Sequence, residues 1–225
     1  QSYCIEYIET HPIAALLLDM GLGKTVITLT AIRDLMLDTC EVNKVLVIAP
    51  LRVARDTWPA EVEKWDHLKD MDVSVIVGTQ KERLAAINHN ALIYVINREN
   101  VKFLVEHYEK NGMHWDFDCI VIDELSSFKN HQSQRFKWLR KVRPFVKRWI
   151  GLTGTPTSNG LMDLWAEIGI LDGGERLGRF IGRYREAYFK AGSMNPQTGV
   201  VFQYVPRPGA EEQIYERISD ITISM

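Results

Sequence analysis

Six short apolar runs constrain the fold more than any other feature of the sequence. They cover residues 13–19, 44–49, 73–77, 91–96, 117–123 and 148–153. Each is rich in Val, Ile or Leu and nearly continuous, without the apolar–polar alternation of a strand that has one face in water. Such runs read as strands buried on both faces. Between them lie amphipathic stretches at 24–37, 52–65, 80–87, 99–110 and 132–142. Strand–helix–strand repetition implies a parallel sheet wrapped by helices, an α/β domain. Ligands of such sheets sit at the carboxyl ends of the strands, so the residues that follow each run are the first candidates for chemistry. With 225 residues, the chain can bury about 70% of its unfolded surface and needs no staple to fold.

The first run leads into Met20-Gly21-Leu22-Gly23-Lys24-Thr25, and a helical pattern starts at Val26. Strand, glycine loop, Lys-Thr and helix together form the context of a phosphate-binding loop. The glycines let backbone N–H groups turn inward around a phosphate, and the helix N-terminus adds its dipole. Lys24 is placed to reach the β- and γ-phosphates of ATP, and the Thr25 hydroxyl to ligate Mg2+. Leu18 stands where the full GxxxxGK(S/T) pattern has its first glycine; a glycine turn beside a surface lysine is the bland alternative. The fifth run ends in Asp123-Glu124. There Asp123 would anchor the Mg2+ and Glu124 would orient and deprotonate the attacking water. The sixth run ends in Thr153-Gly154-Thr155-Pro156, a polar turn suited to sensing the acids and the γ-phosphate, or a plain strand exit.

The composition excludes other classes. Hydrophobic residues make up 46% and charged residues 25%, with a net charge of -2, so any nucleic-acid contact must come from a local patch. Cys4, Cys40 and Cys119 are scattered without a CxxC pair, which points to a reducing, intracellular compartment and away from a metal cluster. The early apolar stretch at 13–18 is too short to span a bilayer and lacks the flanks of a secretory signal. The expected location is cytoplasmic, or nuclear in a eukaryote. The chain opens on glutamine, as an excised domain would. Beyond Ile170 the texture changes: Gly173-Gly174 marks a break, 176–190 is basic and aromatic, 200–204 reads as a strand and 210–218 as a helix. Residues 1–170 are thus expected to form the main domain and 171–225 a mostly helical appendage.

In order, the segments DMGLGKT, VIAPLRVARDTWPAEVEKW, IVIDELSSFKN and GLTGTPTSNGLMDLW resemble the first lobe of Swi/Snf-type ATPases, the double-stranded DNA translocases of helicase superfamily two. The resemblance implies a RecA-like P-loop domain that uses ATP and Mg2+. It places the nucleotide on Met20 to Thr25, with Gln1 as the glutamine that reads the adenine edge. Lys24, Asp123 and Glu124 become the catalytic set, and Ser126, Thr153, Gly154 and Thr155 couple ATP to DNA. Ser126 departs from the family, whose usual residue there is histidine. The implied DNA-side residues are Pro50, Arg52, Asn97, Arg98, Lys129 and Asn130, which would follow the phosphate backbone without reading sequence. The family's second RecA-like lobe, with its arginine finger, is absent from these residues, and a monomer is expected. The alternatives are another P-loop enzyme, such as a small-molecule kinase, a strand-separating helicase or restriction-type motor, or a nucleotide-binding DNA module without turnover.

Residues 131–150 hold seven basic residues and no acid. A DNA patch is one reading. An outer helix with Phe136, Leu139 and Val142 facing the sheet is the favoured one. Trp58 and Trp65, seven apart, read as packing residues on one helix face, and Tyr184, Tyr188 and Phe189 read as core.

Overall fold

All six apolar runs form strands in the computed structural model, which describes residues 1–154, 160–195 and 197–224. They are β1 (Ile13–Leu17), β2 (Val45–Ala49), β3 (Val73–Ile76), β4 (Ile93–Asn97), β5 (Cys119–Asp123) and β6 (Arg148–Thr153). Three further strands come from the tail: β7 (Phe189–Met194), β8 (Val201–Pro206) and β9 (Thr222–Ser224). The main sheet has seven parallel strands in the order β3-β4-β2-β5-β6-β1-β9. β7 and β8 pair antiparallel as a separate ribbon.

Alternate residues of each central strand feed two different cores, as a pleated strand requires. Ala15, Leu46, Ile48, Ile120 and Ile122 enter one cluster; Ala14, Leu16, Val45, Val47 and Val121 enter the other. Helices α1 (Ser2–Thr10), α2 (Lys24–Arg33) and α3 (Trp58–Lys64) cover the second face. Helices α4 (Gln80–Asn88), α5 (Val101–Lys110), α6 (Gln134–Val142), α7 (Leu161–Asp172), α8 (Ile181–Tyr188) and α9 (Ala210–Ile218) contribute to the first. The result is a three-layer, RecA-like α/β domain. Phe136, Leu139 and Val142 of α6 are buried, so that helix packs as the bland reading of 131–150 requires.

The tail is more than a helical appendage. β9 lies against β1, pairing Ala15 with Thr222 and Leu17 with Ser224, and so supplies the seventh strand of the sheet. Ile214 and Ile218 of α9 join the first core. Tyr184, Tyr188 and Phe189 are buried, and the Tyr184 hydroxyl donates to the Leu161 carbonyl at 2.6 Å. The basic stretch 176–190 is helical only from Ile181 to Tyr188, then turns into the ribbon. Among the described residues no helix is long and apolar enough to cross a membrane.

Candidate active site

The phosphate loop follows β1 directly. Gly21 (φ 84°) and Gly23 (φ 79°) are both left-handed, a conformation that costs glycine nothing and most other residues about 1–2 kcal/mol. The side chains of Met20 and Leu22 are exposed at 87% and 43%, so the loop turns its apolar groups out and its backbone in. A Cβ on Gly23 would sit 2.9 Å from Gln1 Nε2, which puts Gln1 at the lip of the loop. Lys24 opens α2, and its ammonium folds back to donate to the carbonyls of Leu18 (2.8 Å) and Asp19 (3.0 Å). Among the described residues Thr25 Oγ1 has no hydrogen-bond partner.

β6 separates β1 from β5, so the two acids face the loop across one strand. Asp123 lies at the end of β5, where burial, with the Glu124 charge beside it, holds its carboxyl above the usual range against the Trp58 hydrogen bond and the Lys24 charge. That hydrogen bond runs from the Trp58 indole to Asp123 Oδ2 at 2.9 Å. Trp58 is fully buried at 1% exposure and follows a π-helical turn, Val53–Thr57. The wider turn admits an extra residue and resets the phase of the helix it enters. Glu124 has φ 65° and ψ 66°, a left-handed backbone that is uncommon outside glycine and concentrates at functional sites. Its Oε1 accepts from Ser126 Oγ at 2.5 Å and from Thr153 Oγ1 at 3.3 Å. A Cβ on Gly154 would lie 3.7 Å from Lys24 Nζ and 3.2 Å from the Met20 side chain. The end of β6 therefore touches both the acids and the phosphate loop. Thr155, Pro156 and Asn159 lie outside the described residues.

An open cleft of about 420 Å³ is lined by Gln1, Gly21, Gly23, Lys24, Thr25, Val26, Glu61, Lys64 and Trp65. Trp65 departs from the packing role read in the sequence. α3 ends at Lys64, and Trp65 is extended (φ -104°, ψ 121°). It is 37% exposed, with its indole donating to Glu61 Oε2 at 2.8 Å. Trp58 was equally missed as a site residue. Seven-residue spacing carries no signal for either, because the helix it assumes stops at Lys64 and leaves Trp65 extended.

The other candidates sit on strand-end loops at the same edge. Pro50 follows β2, and Arg52 is exposed without an ion pair among the described residues. Asn97 is buried at 7% exposure; its amide donates to Glu99 (3.0 Å) and its carbonyl accepts from Asn100 (2.6 Å). Arg98 pairs with Glu99 at 2.9 Å, and Lys129 with Asp163 at 3.7 Å. The Asn130 side chain accepts from the Gln132 backbone N–H at 2.9 Å. Next to this group, burial and the Asp163 charge push the Glu167 carboxyl up to about 8.

Residues 8–173 match the model of the SNF2-related domain. The chain belongs to the SNF2-related family. This SNF2-related chain is 40% identical over 212 residues to putative protein p41 of Acyrthosiphon pisum secondary endosymbiont phage 1, covering 92% of the chain and 45% of p41. It is 32% identical over 167 residues to the chromodomain-helicase-DNA-binding protein 3 homolog of Caenorhabditis elegans, covering 65% of the chain and 9% of that protein. The fold matches the Sulfolobus solfataricus SWI2/SNF2 ATPase core solved in complex with dsDNA, with a TM-score of 0.74 and 23% identity over 98% of this chain and 42% of that one. The chain thus spans less than half the length of these relatives.

Proposed function

We propose that the chain is the ATP-binding first lobe of a DNA-dependent ATPase that translocates on double-stranded DNA. One observation carries this reading: Lys24, the acids Asp123 and Glu124, and the Thr153–Gly154 turn gather at the carboxyl ends of β1, β5 and β6, next to an open cleft that Lys24 and the glycine loop line. The residues fit Mg-ATP. Two left-handed glycines shape the loop, Thr25 Oγ1 is uncommitted, and the Lys24 ammonium rests on carbonyls that a phosphate can replace. In this reading Thr25 and Asp123 hold the Mg2+, which neutralises charge on the phosphates. Lys24 leaves Leu18 and Asp19 to meet the γ-phosphate. Glu124, held by Ser126 and Thr153, accepts a proton from the attacking water. Ser126 keeps the coupling contact through its hydroxyl where the family more often has histidine. The exposed Trp65 face and the Gln1 amide serve the base.

The reading takes its DNA partner from the family and from the cations at this same sheet edge. Arg52 is free for a phosphate, whereas Arg98 and Lys129 would exchange Glu99 and Asp163 for one. Asn97 serves by fixing the 98–100 turn. The second lobe, in this reading, closes the open side of the cleft. Calorimetry with Mg-ATP tests the site: the wild-type chain is expected to bind and Lys24→Ala to show no heat of binding. Unchanged affinity in the variant would remove Lys24 from the site.

A further inference from the structure

Among the described residues the β7–β8 ribbon meets the fold only near its root, where Phe189 enters the core and Tyr204 packs against it. Two-stranded ribbons are marginal in water by themselves, and this one is exposed along most of β7 and half of β8. Only its root is fastened. Phe189 is buried at 4% exposure, the Arg207 backbone N–H donates to Tyr188 O at 2.8 Å, and Arg207 Nε donates to Phe189 O at 2.9 Å. The ribbon is nonetheless built with care. A Cβ on Gly192 would lie 2.7 Å from Val205 Cγ2, so glycine is needed where the strand bulges between Ala191 and Ser193.

Its chemistry is one-sided. No Asp or Glu occurs between Glu186 and Glu211. A groove of about 400 Å³ at the root is lined by Arg185, Lys190 and Arg207, with Tyr204, Phe189 and a single acid, Glu186. None of these three cations is in an ion pair among the described residues, and Arg185 stacks over Tyr204 at 4.9 Å. Toward the tip, Phe202 is 70% exposed, Met194 56% and Val200 53%. Uncompensated positive charge at the base of a slim ribbon, with apolar groups at its end, complements a duplex. The major groove of B-DNA admits a two-stranded β-ribbon, and its walls are phosphates.

We infer that the β7–β8 ribbon is a second duplex-DNA contact, with Lys190, Arg185 and Arg207 on the phosphates and Phe202 at the bases. This rests on the DNA-translocating reading above, but places the contact on an arm outside the strand-end edge.

The test is anisotropy of a labelled 20-base-pair duplex with the full 225-residue chain, titrated across salt. Each phosphate contact contributes about 0.9 to the slope of log K against log salt. Lys190→Gln, at an exposed position that fastens nothing, is expected to flatten the slope by about 0.9. Phe202→Ser should weaken binding about five- to tenfold with the slope unchanged, as loss of an apolar base contact does. A bimane dye at Phe202→Cys, in a Cys40→Ser background, should shift to the blue on adding duplex. If the wild-type chain binds duplex while all these variants match it and the dye stays unshifted, the ribbon is not a DNA contact and the translocase reading stands. If the wild-type chain binds no duplex even at low salt, the translocase reading itself loses its partner. A blue shift that grows with protein concentration and needs no DNA overturns the inference in favour of a second copy.

Discussion

Glu167 carries a stability cost next to the site that depends on pH. It is 2% exposed on α7, beside Asp163, Lys129 and Glu124, and its carboxyl moves from the usual 4.5 up to about 8. The folded chain therefore holds a proton that the unfolded chain releases near pH 4.5. Below that pH both states are protonated and Glu167 costs nothing. Between about 4.5 and 8 stability falls, and above the folded value the loss levels off. A shift of this size corresponds to about 3–5 kcal/mol. Urea denaturation at pH 5 and pH 8 should show Glu167→Gln losing much of the wild-type difference between the two; an unchanged difference would assign it to other groups. Lys24, Thr25, Asp123 and Glu124 were legible because their spacing along strand and loop is local. Trp58 was not, since its bond to Asp123 joins residues 65 apart in sequence and depends on a π turn that no apolar period announces.

Among the elements, α1 depends on one buried side chain from β6. Arg148 is 8% exposed and donates to the carbonyls of Ile8 (3.0 Å) and Glu9 (2.9 Å) and to Glu41 (2.5 Å). It satisfies the carbonyls that the end of a helix leaves open. Arg148→Ala is expected to destabilise the chain by about 2–4 kcal/mol, read as a lower urea midpoint with unchanged m-value. A loss of stability below about 0.5 kcal/mol would mean that water replaces the guanidinium. Arg148 was grouped in the sequence with a basic surface run, because charge alone does not say which cation points inward. The strands were legible for the opposite reason: a strand buried on both faces must be apolar throughout, and nothing else in a soluble chain reads that way. The ribbon was half seen. Residues 200–204 read as a strand, but Gly192, Asn195 and Gly199 are turn formers wherever they stand and hide β7.

For the molecule as a whole, the open side of the cleft sets an expectation for turnover. Trp65, Glu61 and Lys64 wall one side, the phosphate loop another, and no arginine from the described residues lines the space between. Arginine fingers contribute about 10³–10⁵ in rate in P-loop systems that use one. The 225-residue chain should therefore hydrolyse Mg-ATP slowly, with or without duplex DNA, in a phosphate-release assay. Brisk DNA-stimulated turnover would require a finger within this chain. The β9 strand adds a mechanical aspect. It runs parallel to β1 and ends at Ser224 beside Leu17, on the edge from which the phosphate loop springs. A pull on Ser224 along the strand loads its hydrogen bonds in shear, all at once, and passes the tension to β1. The nucleotide loop and the C-terminal end of the sheet share one mechanical ground.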